Sequence, residues 1–71
     1  MTDNPYAYDK TRQPNLREAI RLLACSYASL QCSAAHEILG AHEEVHRTLV
    51  AASQAADEAA EVLRRLSGRT A

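Results

Sequence analysis

From Leu16 the apolar positions run Leu16, Ile20, Leu23, Tyr27, Leu30 and Ala34, at spacings of 4, 3, 4, 3 and 4. That alternation is the heptad seam of a helix packed against another helix. A second run, Val45, Leu49, Ala52, Ala56, Ala59, Leu63 and Leu66, alternates in the same way. The two runs do not share one register. Extending the first past Ala34 places Glu37, Glu44, Glu58 and Arg65 at core positions, and the slip falls around Gly40. Glycine is the usual residue just past a helix end. Glu43 and Glu44 suit a helix N-terminus, and Arg64 and Arg65 suit a C-terminus. The pattern predicts an all-α chain: an antiparallel hairpin of two helices, about 14–39 and 42–66, with Pro14 in the first turn of the first. Ala41 is a poor N-cap, which leaves a single kinked helix as the competing reading.

The polar positions then distinguish the two segments. The second has an ordinary wet face, with Glu43, Arg47, Gln54, Glu58, Glu61 and Arg65 away from its seam. The first has none beyond its opening turns: residues 22–35, LLACSYASLQCSAA, carry no formal charge. A helix that is apolar or small all round is normally buried all round, and a hairpin covers one side. The reading is that the second helix covers the heptad seam and another chain covers the back, centred on Leu22, Cys25, Ser29, Cys32 and Leu39. A pairing of the first helix with its own copy gives a homodimeric four-helix bundle. With a twofold near residues 28 and 29, Cys25 faces the partner's Cys32, although reduced packing cysteines are the preferred reading.

Before the first helix, residues 1–13 are polar and turn-rich and read as a flexible arm, with packing of Tyr6 and Tyr8 on the body as the alternative. Residues 67–71 read as a frayed tail.

Composition agrees with this picture and narrows it. Seventy-one residues make one domain at most, in a size range where a lone core is marginal and a second copy commonly supplies the rest. Two glycines and two prolines leave few places to turn, and the absence of Phe and Trp makes any core aliphatic and alanine-rich. A net charge of −1 argues against nucleic acid, whose ligands carry a basic excess. Lys10, Arg12, Arg17 and Arg21 do cluster, but acidic residues interleave with them. No stretch reaches membrane length and the start lacks a signal-peptide pattern. The expected location is therefore the cytoplasm, where two cysteines are usually reduced.

For chemistry the sequence offers one constellation. Cys32 and His36 are four apart, as are His42 and His46, and folding at Gly40 draws the pairs together. One Cys and three His are a plausible tetrahedral zinc set, and Glu43–His46 has the E-x-x-H spacing of di-iron bundles. Against a metal, histidines at a helix turn are commonly just solvated. No phosphate-cradling loop or catalytic triad is recognisable, and a two-helix module offers no cleft or oxyanion hole. The expectation is a small non-enzymatic protein-interaction module without a cofactor, acting by self-association, by docking on another protein, or both. The alternative is a zinc- or iron-binding helical bundle.

Overall fold

The computed structural model consists of two helices, α1 (Leu16–Ile38) and α2 (His42–Thr70), packed against each other as an antiparallel hairpin. It describes residues 5–7, 9 and 11–70, the side chains of residues 69 and 70 excepted. The expected packing of Tyr8, the contribution of Lys10 to a basic cluster and the character of residues 1–4 lie outside the described residues. Among those described there is no strand. The body measures 45 × 25 × 15 Å, an elongated slab one helix thick.

Each end of α1 has an identifiable cause. Asn15 is the N-cap, in an extended conformation, and its Oδ1 accepts the Glu18 backbone N–H at 2.7 Å. This satisfies one of the donors a helix start leaves open. Pro14 therefore lies just outside the helix rather than in its first turn. It is buried, as is Ala19, and these are the two positions a hydrophobic staple joins. At the other end Gly40 takes φ +74°. The Gly40 N–H donates to the Glu37 carbonyl and the Ala41 N–H to the His36 carbonyl, both at 3.0 Å. That pair of bonds is a Schellman motif, and it turns the chain straight into α2. Glu43 and Glu44 in the first turn of α2 stand where negative charge opposes the helix dipole.

The helices differ in length, 23 residues against 29, because residues 67–70 continue α2 instead of fraying from it. No proline or cap stops the helix there. The end of α2 thus overhangs the start of α1, and the N-terminal segment fills the step. Tyr6 packs with Leu66 against the buried cluster of Ala19, Leu22, Ala59 and Val62. The arm is further shaped by Asp9, whose Oδ1 accepts the Thr11 N–H at 2.9 Å and the Thr11 hydroxyl at 2.6 Å. These bonds hold the Asp9 carboxyl below its usual pKa. At Tyr6 the arm is docked rather than loose.

The hairpin seam is not the heptad of large side chains. In α1 the residues that face α2 are Ala19, Leu22, Ser26 and Ser33, all buried, with Ser29 and His36 half-buried between and beyond them. In α2 they are Ala52, Ala55, Ala59 and Val62, with Thr48 and Leu66 continuing the line. Small residues allow a close approach, close enough for the Ser26 hydroxyl to donate to the Ala52 carbonyl at 2.9 Å. One turn along, the hydroxyls of Ser33 and Thr48 share a hydrogen bond of 2.6 Å. The expected seam of α1, from Leu16 to Ala34, is instead left outside. In α2 the expectation is met at Ala52, Ala59 and Leu66, while Leu49 and Leu63 remain exposed.

Candidate interaction face

Both exposed stripes stand one residue further along the chain than the seam. In α1, Ile20, Leu23, Tyr27 and Leu30 follow seam positions 19, 22, 26 and 29. In α2, Leu49, Ala56 and Leu63 follow positions 48, 55 and 62. One residue is about 100° of rotation. Two antiparallel helices turned by the same offset from their shared seam present their stripes on the same side of the hairpin. The result is one apolar face built from both helices, with Leu16, Ile20, Leu23, Tyr27, Leu30, Leu49 and Leu63 each 40–67% exposed. The hydrogen bonds across the seam fix its levels, setting Leu16 beside Leu63, Leu23 beside Ala56 and Leu30 beside Leu49. Apart from Glu37, which ends the stripe of α1 next to the turn, acidic and basic side chains lie on the opposite side and the outer edges, where Glu18 pairs with Arg21 and Glu44 with Arg47 at 3.4 Å.

The residues expected to form an interface at the back of helix one are divided by this geometry. Leu22 is fully buried under α2 and is not available to a partner of the folded hairpin. Ser29 and Cys25 are half-buried at and beside the seam, while Cys32 and Leu39 are exposed. Both cysteines are free thiols. By register Cys25, Cys32 and Leu39 belong to the charged side, facing away from the large apolar stripe. Of that expected back only Leu22 and Ser29 turn toward α2, while the large residues expected to face α2 form the exposed stripe, because periodicity gives a seam to the largest residues.

The histidine and cysteine quartet does not assemble. His36 sits on the seam, Cys32 turns to the charged side, and His42 and His46 turn toward the apolar face or the outer edge of α2. Among the described residues no three His, Cys, Asp or Glu side chains are grouped to hold a metal. The surface around His42 and His46 is formed with Val50 and Gln54 along one helix. It is a shallow patch, with no wall from α1. No helix among the described residues is long and apolar enough to cross a membrane.

No family model, curated protein or solved structure matches this chain. The functional reading therefore rests on the face itself.

Proposed function

We propose that this chain is a non-enzymatic protein-interaction module and that its contact surface is the apolar face shared by α1 and α2. The observation that carries this reading is the alignment of large, half-exposed aliphatic side chains and Tyr27 on one side of a slab whose other side is charged. Scattered exposed leucines are normal, but a contiguous apolar patch on a small protein marks a contact surface. A heptad-spaced stripe is also the form in which helices recognise helices. The face has the chemistry of a dry seam: aliphatic groups with small residues between them.

A photo-crosslinking side chain placed at Tyr27, compared with one at Ala28 on the opposite side, tests this in living cells. Protein crosslinks from position 27 and not from 28 are expected. If neither position captures any protein chain, the interaction reading is wrong.

A further inference from the structure

We infer that the occupant of this face is a second copy of the same chain, laid face to face so that α1 of each copy covers α2 of the other. This rests on the interaction reading above and names the partner. The first support is area. A compact monomer of 7.8 kDa exposes roughly 4,400 Å². The whole chain, N-terminal arm included, exposes 5219 Å², about 800 Å² more, as expected of an elongated slab that leaves one apolar side uncovered.

The second support is self-complementarity. A twofold axis along the hairpin's length keeps every layer at its own level and sets α1 over the partner's α2. Leu23 then meets Ala56, Ile20 meets Ala60 and Tyr27 meets Ser53, large residues on small ones through the middle, with leucine on leucine in the flanking layers, Leu16 on Leu63 and Leu30 on Leu49. The other twofold arrangement sets each helix on its own copy. With its axis at the level of Tyr27 it stacks Tyr27 on Tyr27 and Leu23 on Leu30 along one half and Ser53 on Ser53 along the other, so one half of the interface is crowded and the other hollow. Protein interiors tolerate neither. The product is an antiparallel four-helix bundle with closed symmetry. A face complementary to itself identifies a copy as the occupant more directly than it does an unrelated helix.

Sedimentation equilibrium of the full chain at tens of micromolar is expected to give twice 7.8 kDa. The Ala56→Leu variant fills the notch that receives the partner's Leu23. It is expected to weaken dimerisation at least tenfold without loss of helical circular dichroism. The pairing is read by disulfide trapping in a Cys25→Ser/Cys32→Ser background, mixing Tyr27→Cys chains with Ser53→Cys chains. Oxidation is expected to join unlike chains, and a predominance of Tyr27→Cys homodimers would overturn the arrangement. A folded chain that stays monomeric at hundreds of micromolar overturns the second copy. In that case crosslinking from Tyr27 to a different protein leaves the docking reading standing, whereas its absence removes both.

Discussion

At the scale of single residues, Gly40 is the position where backbone conformation decides most. Its φ of +74° lies in the left-handed region, and nothing lies within 4 Å of where a Cβ would stand. The cost of a side chain there is conformational, with no steric part. Gly40→Ala should lower the free energy of unfolding by about 1–2 kcal/mol, measured by urea denaturation, with the fold unchanged. A larger loss would mean that the turn does more than reverse the chain. Ser26 and Ser33 act differently. Their hydroxyls reach across the seam, so residues that look like surface filler in the sequence are the cross-links of the hairpin interior.

At the scale of elements, the sequence revealed the two helices and the turn because those depend on local signals: Gly40, the acidic pair after it, and a break in heptad phase. The start of α1 also carries a local signal, Asn15 followed three residues later by Glu18, but Pro14, read as part of the first turn, puts the helix start two residues early. The choice of seam was not local. Each helix carries two lines of suitable residues a single position apart, and which line turns inward depends on how closely the backbones approach. Small residues win that contest when hydroxyl hydrogen bonds and close packing outweigh the area that leucines would bury. The arm was illegible for a related reason, because its partner surface exists only once α2 overhangs α1. Tyr6 closes that step with Leu66. Tyr6→Ala should cost about 1–2 kcal/mol, less than full burial of an aromatic ring would imply, and thermal melting is the check. A melting temperature equal to wild type would show that the arm contributes nothing to the body.

At the scale of the whole molecule, a slab 15 Å thick has no interior beyond its single seam. Apart from Leu22 and Val62, its centre is alanine and serine, and most of its large side chains are on the surface, the reverse of the usual distribution. This inversion resolves if the hairpin is half of a larger body, with the small-residue seam inside each half and the leucine layers between halves. Buried hydroxyls fix how the helices meet within a copy, and bulk fixes how the copies meet.

The one-residue offset between the two lines of each helix also bears on folding. Rotating both helices by about 100° about their own axes exchanges the lines and yields a second hairpin, with Leu16, Leu23, Leu30 and Leu63 inside and the serines in water. The sequence thus encodes two basins of similar topology, a local frustration that a funnelled landscape must break. What breaks it is the burial of Leu22 and Val62 together with the pair of interhelical hydroxyl contacts, which only the observed basin forms. A Ser26→Ala/Ser33→Ala chain keeps both lines apolar or small and loses the hydroxyl part of that preference. Its backbone amides should appear as two sets of resonances in slow exchange, the second set displaced along both seams, where the wild-type chain shows one.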